Sequence, residues 1–350
     1  MKYLIDQLVF AVLTMLAAIV LISAIIYQAP VDLSRMYFGQ RTDEAAVNRI
    51  RKQMHLDEPV YKRIAYYLIG LSPIRWEGVG SGESNGLGKG IKIFSGETKV
   101  LYLSLPDLGT SYSTGRSVWE MLRTAVPPTL ILGLISMIIA SIFGIGLGLL
   151  AAAYQGKWQD QAILSFCTLG ISVPSYVSAI FFSLLFGFVW SGYTGLDVQG
   201  SLFSLDDFGE VRFTPQHVIL PALALGTRPV AMIAQMTRVA YLEVIRQDYI
   251  RTARSKGIAT AQLIRKHILK NAMNPIFTTI SSWFASVLTG AFFVEYVFNY
   301  KGLGDLTITS LNAFDIPVIL GASLFTISVF IMINTITDIV YHYIDPRVRI

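Results

Sequence analysis

The chain is 350 residues long, 53% hydrophobic and only 15% charged, with a formal net charge of +5 and a mean hydropathy of +0.54. An average soluble domain carries roughly 25% charge, so this composition excludes a disordered chain, a collagen-like chain and an ordinary soluble enzyme. The single cysteine, Cys167, has no partner in the chain and excludes a disulfide scaffold.

A bilayer core about 30 Å thick is crossed by roughly 20 apolar residues in a helix. Windows free of Asp, Glu, Lys and Arg run from Gln7 to Val31, Thr124 to Gly156, Gln161 to Leu196, Asn271 to Val294 and Ile316 to Thr337. Phe213 to Thr237 is a further window, interrupted only by Arg228. These six windows predict an all-α integral membrane protein with six transmembrane helices. Residues 1–30 read as an uncleaved anchor helix. Their apolar run exceeds the signal-peptide core of about 7–15 residues, and Tyr27-Gln28-Ala29-Pro30 is a poor cleavage site.

Residues 31–123 form a long segment between the first two spans. Asp43 to Ile69 reads as helical, with apolar positions at Ala46, Ile50, Met54, Ile64 and Leu68. Gly78 to Gly90 is glycine-rich and reads as a flexible loop, and Leu101 to Leu105 as a short strand. The segment is too small for an independent domain and is expected to cap the mouth of the membrane part. Within it, Glu83 to Gly90 reads E-S-N-G-L-G-K-G. This fails the phosphate-loop pattern at both ends, where Gly and Ser or Thr are required.

In the second span Gly144 and Gly148 stand four apart and leave one helix face smooth, which favours close helix packing. In the third, Pro174 removes a backbone donor between Ser172 and Ser175. That bent polar stretch either lines a pathway or is a packing kink. Arg228 lies deep in the fourth span, where a bare guanidinium is expensive. It either lines a water-filled pathway and meets an anionic cargo group, or it pairs with a carboxylate such as Glu295 or snorkels. Asn334 and Asp338 stand four apart on the last span and are expected to hydrogen-bond to a neighbouring helix. Glu295 is placed with them as a structural polar residue.

Residues 238–275 form the most basic segment, with Arg238, Arg246, Arg251, Arg254, Lys256, Arg265, Lys266 and Lys270. Within it, Asp248 to Gly257 reads as a short helix that Asp248 caps and Gly257 ends. Thr260 is placed to cap a second helix running to Asn271, with Pro275 ahead of the next span. Charge alone makes this a basic inner loop against anionic lipid. The positive-inside rule puts it in the cytoplasm, together with Lys157 and the tail with Arg347 and Arg349. The loops Ser191–Arg212 and Asn299–Asp315 hold one basic residue each and fall on the other side. Both termini are therefore predicted to be cytoplasmic. Residues 31–123 are placed outside, because long translocated segments escape the rule. The four histidines are scattered without ligand spacing, so no metal site is expected. No nucleophile stands beside a base, so no catalytic residues are expected.

Several stretches carry a resemblance. Asp248-Tyr249-Ile250-Arg251-Thr252-Ala253-Arg254-Ser255-Lys256-Gly257, with Pro275 eighteen residues after its glycine, resembles the loop motif of ABC importer permeases of the oligopeptide, dipeptide and nickel branch. Met54-His55-Leu56-Asp57-Glu58-Pro59, Asp107-Leu108-Gly109-Thr110-Ser111 and Ile219-Leu220-Pro221-Ala222-Leu223 fit the same branch. So do Val294-Glu295-Tyr296-Val297-Phe298, Gly302-Leu303-Gly304 and Asp345-Pro346-Arg347-Val348-Arg349. The chain departs from the branch at Lys301, where proline is frequent, at Arg228-Pro229, and at Pro73–Val100, which looks like an insertion.

The resemblance implies a type I importer-permease fold in the cell inner membrane. An anchor (1–30) and an external segment (31–123) would precede a five-helix core (124–345), and a cytoplasmic tail (346–350) would follow. It implies that Asp248, Tyr249, Arg251, Thr252, Ala253, Arg254, Lys256 and Gly257 form a coupling element for a cytoplasmic ATPase. The implied partners are a second permease subunit, two ATPases and an external binding protein. ATP and magnesium would be held by the ATPases and no cofactor by this chain, which is then no enzyme. The implied cargo is a peptide, with nickel chelates or another small solute as the alternative. An ion-coupled carrier or channel working without ATPases is the rival of a different class.

Overall fold

The structure, a computed structural model, describes residues 2–28, 58–78, 91–95, 99–103, 106–205 and 210–344. Most of Asp43–Glu58, including most of the Met54–Pro59 stretch, lies outside the described residues, as do most of Gly78–Gly90 and the Asp345–Arg349 tail.

The described chain is mostly helical. α1 (Lys2–Gln28) leads to α2 (Val60–Leu71) and three strands, β1 (Ile74–Gly78), β2 (Ile91–Ser95) and β3 (Lys99–Leu103). α3 (Val118–Ala153) precedes α4 (Trp158–Ser172), α5 (Ser175–Phe182) with a π-helical continuation over Ser183–Val189, and the single turn α6 (Ser191–Thr194). A two-stranded ribbon, β4 (Phe203–Leu205) and β5 (Val211–Phe213), precedes α7 (Ile219–Ile245). Then come α8 (Asp248–Ser255), α9 (Thr260–Leu263), α10 (Leu269–Phe298), α11 (Leu303–Asn312) and α12 (Ile316–Ile344).

Five helical stretches are long and apolar enough to cross a membrane: Val9–Ile26, Val118–Ala153, Pro215–Ile245, Thr260–Phe298 and Ile316–Thr337. The third expected span is different. Its two halves, Trp158–Ser172 and Ser175–Val189, meet at 106°. Proline explains the break: Pro174 is extended at φ −60°, ψ 144°, and a residue before proline, here Val173, is driven out of the helical region. A continuous kinked helix is thus replaced by two helical halves that turn sharply at Pro174.

The chain divides into two compact units, residues 8–122 with 309–325, and residues 1–7, 123–308 and 326–350. The larger unit is built around α7, whose buried positions include Leu220, Ala224, Leu225 and Ile233. Gly144 and Gly148 of α3 allow a close approach to α7: a Cβ at Gly144 would lie 2.7 Å from Ile233 Cβ, and one at Gly148 2.5 Å from the Ala234 carbonyl. The two glycines are packing positions.

In the smaller unit the three strands form an antiparallel sheet in the order β1-β3-β2, with Ile74 opposite Leu103 and a register shift between Lys92 and Phe94. The expected strand at Leu101 is the end of β3. Asp315, 1% exposed, ties the 111–113 turn to the start of α12. Its carboxylate accepts from Ser111 Oγ (2.5 Å), Ser113 Oγ (2.8 Å) and the amides of Tyr112 (3.0 Å) and Ser113 (3.2 Å).

Candidate functional site

The basic segment folds into a rigid hook. α8 turns an apolar side inward: Ile250 (1% exposed) and Ala253 (8%) pack with Ala152, Tyr241, Leu263 and Ile268. Asp248, Tyr249, Arg251, Thr252, Arg254 and Lys256 remain exposed. Gln247, not Asp248, holds the N-cap position, and no side chain caps the amides. Asp248 instead lies in the first turn, where its charge suits the helix dipole, and Arg251 reaches it at 3.6 Å. Gly257 terminates the hook at φ +76°, a left-handed conformation that glycine adopts without a Cβ penalty.

The following stretch also departs from the expected pattern. α9 is four residues long, with Ala259 rather than Thr260 at its cap, and Ile264–Ile268 continues as a π-helix into α10. Pro275 therefore sits inside one helical run from Thr260 to Phe298 rather than ahead of a new span. Asn271 links that run to the hook by donating from Nδ2 to the Tyr249 hydroxyl at 2.9 Å.

Arg238 and Asp160 brace the same end of the bundle. Arg238 Nε and Nη2 each donate to one Asp160 oxygen at 2.7 Å, and Asp160 also accepts the Gly156 amide at 3.0 Å. The Asp160 side chain is 3% exposed and that of Arg238 20%. Asp160 escaped the sequence reading because it sits between two uncharged windows and looked like their boundary.

Glu295 is fully buried, and its Oε2 accepts the amides of Gly304 (2.7 Å) and Asp305 (3.3 Å) at the start of α11. Gly302 and Gly304 make room for it, since a Cβ at Gly302 would lie 2.5 Å from the carboxylate. The adjoining Tyr300 donates its hydroxyl to the Pro128 carbonyl at 3.1 Å. Burial, with Glu295 nearby, pushes its phenol pKa well up. Lys301, at the position of departure, donates from Nζ to Asn299 Oδ1 (2.6 Å) and Asp305 Oδ2 (3.2 Å).

Arg228 is exposed on α7. Its guanidinium carbon lies 5.9 Å from the centre of the Trp283 ring of α10, and among the described residues it forms no ion pair. The structure does not bring Arg228 and Glu295 together. Ser172 is exposed and donates to the Thr168 carbonyl at 2.9 Å. Ser175 is half-buried, its Oγ 3.9 Å from where a Cβ on Gly290 would stand. Asn334 is half-buried on α12, with no hydrogen bond among the described residues; the Asp338 side chain lies outside them.

His217 was set aside in the sequence as an isolated histidine. Its Nδ1 lies 3.0 Å from the Ser201 carbonyl and its Nε2 3.0 Å from Asp197 Oδ2, so it fastens the 197–201 loop to the start of α7.

Residues 144–350 match the family described as binding-protein-dependent transport system inner membrane component, and residues 1–102 match the N-terminal domain of such membrane components. The chain is 30% identical to the glutathione transport system permease protein GsiC of Shigella flexneri serotype 5b (strain 8401), over 100% of this chain and 99% of the relative. GsiC of Escherichia coli (strain K12) matches at the same identity and coverage. Among solved structures, the inward-facing MetNI methionine ABC transporter is similar at a TM-score of 0.53 and 16% identity, over 65% of this chain and 97% of that chain.

Proposed function

The chain belongs to the binding-protein-dependent transport system inner membrane components, the permease subunits of ABC importers, and we propose that its cargo is a short peptide or peptide-like solute. It is a multi-pass inner-membrane transport protein of the type I importer-permease fold, and it is not itself an enzyme. Membership implies ATPase and substrate-binding protein partners. The cargo class is supported by the glutathione permeases that match end to end, since glutathione is a tripeptide.

In our reading the chain forms half of the passage and pairs with a second permease subunit. Both termini and the hook at Asp248–Gly257 face the cytoplasm, and the 31–123 segment lies outside. The hook docks on an ATPase that holds ATP and magnesium. The observation that carries this is the division of α8: Ile250 and Ala253 anchor it in the bundle, while its charged side is left for a partner. A short helix fixed in this way moves as a rigid piece with the spans it is packed against.

The test is co-purification of the ATPases with the complete transporter carrying Arg254→Glu or Lys256→Glu. Both variants are expected in the membrane at normal level, with the ATPases lost and ATP-dependent uptake of glutathione or trialanine abolished. Normal co-purification and uptake in both would refute docking at α8. Uptake that persists without ATP would instead favour an ion-coupled carrier.

A further inference from the structure

α10 has an inverted polarity. Over its middle the buried positions Ala285, Val287 and Leu288 are apolar, with Thr279 and Glu295 buried nearer its ends. Its exposed side carries Thr278, Ser282, Ser286 and Thr289, spaced four, four and three residues apart and therefore on one face, which turns aromatic only beyond them at Phe293 and Tyr296. A lipid-facing helix shows the opposite. On α3 the exposed stripe is Leu130, Leu134, Ile138 and Ile142.

Thr278 and Ser282 donate to the Asn274 and Thr278 carbonyls at 2.9 and 3.0 Å, which quiets those two hydroxyl donors. Ser286 and Thr289 have no hydrogen-bond partner among the described residues. Leaving such a hydroxyl unpartnered in hydrocarbon is costly, so this face belongs against water or polar groups. Trp283 lies one turn before Ser286, and Arg228 leans over it. Arg228 is two residues from residue 230, the midpoint of the Pro215–Ile245 span. A cation at that depth needs an anion or a water-filled cavity, and this chain supplies no carboxylate to it among the described residues.

We propose that the Ser282–Thr289 face of α10 lines a water-filled passage in which Arg228 binds the carboxylate of a peptide-like cargo. This rests on the permease reading above and adds the cargo group that is recognised. The hydroxyls suit the amide groups of such a cargo, and the guanidinium suits its carboxylate.

The complete transporter, in inverted and right-side-out membrane vesicles, carries Ser286→Cys or Thr289→Cys in one set and Leu134→Cys or Ile138→Cys in another, all with Cys167→Ala. A charged methanethiosulfonate reagent is expected to label the first set roughly tenfold faster, because the reacting species is the hydrated thiolate. Equal labelling of the two sets would overturn the passage face, as would disulfide pairing of Ser286→Cys between two permease subunits.

Uptake of trialanine and of its C-terminal amide then tests Arg228. Arg228→Ala is expected to lower trialanine uptake roughly tenfold, the size of one lost charge-assisted contact, and to spare the amide. Arg228→Lys is expected to restore most of the loss. Equal loss for both cargoes, at normal protein level, would overturn carboxylate binding, and so would loss explained by protein level alone. Should the wild-type transporter take up neither compound, the cargo reading fails by itself and the labelling pattern alone decides the face.

Discussion

Asp160 and Arg238 form a two-pronged ion pair, 2.7 Å on both prongs, between the first turn of α4 and the last third of α7. Seventy-eight residues separate them in sequence, and the pair holds the Gly156 turn in place through the amide that Asp160 also accepts.

Removing one partner leaves a charge with little water around it. For a buried pair this costs about 3–5 kcal/mol, and the exposed fifth of Arg238 places this pair near the lower figure, roughly 3 kcal/mol. Asp160→Ala is expected to lower the melting temperature of the detergent-purified protein, and Arg238→Ala to do so by a similar amount. The double variant is expected to be less damaging than the sum of the two. Additive losses in thermal unfolding would show that the residues act independently.

The Glu295 pocket makes a second prediction. Gly302 and Gly304 sit so close to Glu295 and Phe292 that a methyl at either has no room: the nearest atoms would be 2.5 and 2.3 Å away. Overpacking of this kind costs about 1–3 kcal/mol. Gly304→Ala meets backbone at Phe292 and is expected to be the more damaging. Protease resistance in membranes is the readout, with Gly146→Ala as the control because nothing lies within 4 Å of its Cβ position. If Gly304→Ala resists proteolysis as well as Gly146→Ala, the space beside Gly304 is not what stabilises the Glu295 pocket.

Asp315 accepts four hydrogen bonds from the 111–113 turn. Asp315→Ala strands those donors, at a cost on the order of 1–3 kcal/mol for each one left without water. Hydrogen exchange at the Tyr112 and Ser113 amides is expected to accelerate by at least an order of magnitude in that variant. Asp315→Asn keeps one acceptor oxygen and is expected to fall between the two. Unchanged exchange in Asp315→Ala would mean that the turn holds without the clasp.

Much of this fold was legible because its strongest signal is absence of charge. Where a window ended at a charged residue, however, the helix often continued. α3 starts at Val118, six residues before Thr124, because Glu120 and Arg123 can occupy its first turns without entering the apolar core. The break at Pro174 was visible only as a kink. Proline marks where a helix bends, but it does not by itself dictate an angle as large as the 106° seen here. Asp160 and Asp315 were not legible, since a buried carboxylate is recognised only by its partners, and those lie 78 and about 200 residues away. Arg228 was the opposite case: a lone cation inside an apolar window stands out by itself, and the structure adds that Trp283, not Glu295, is beside it.

The two sides of α8 make the last prediction. Ile250 fills a fully buried position among Ala152, Tyr241, Leu263 and Ile268, so Ile250→Ala removes core contacts worth about 2–5 kcal/mol. Arg251 projects into solvent with 78% of its side chain exposed, and its contact with Asp248 is an exposed pair, worth about 0–1 kcal/mol. Ile250→Ala is therefore expected to lower both melting temperature and ATPase stimulation. Arg251→Glu is expected to leave the melting temperature within about a degree of wild type and to reduce only the ATPase stimulation of the reconstituted transporter. That split separates an anchor from a docking contact. If Arg251→Glu left stimulation intact together with Arg254→Glu, the charged side of α8 would not be the surface that the ATPase meets.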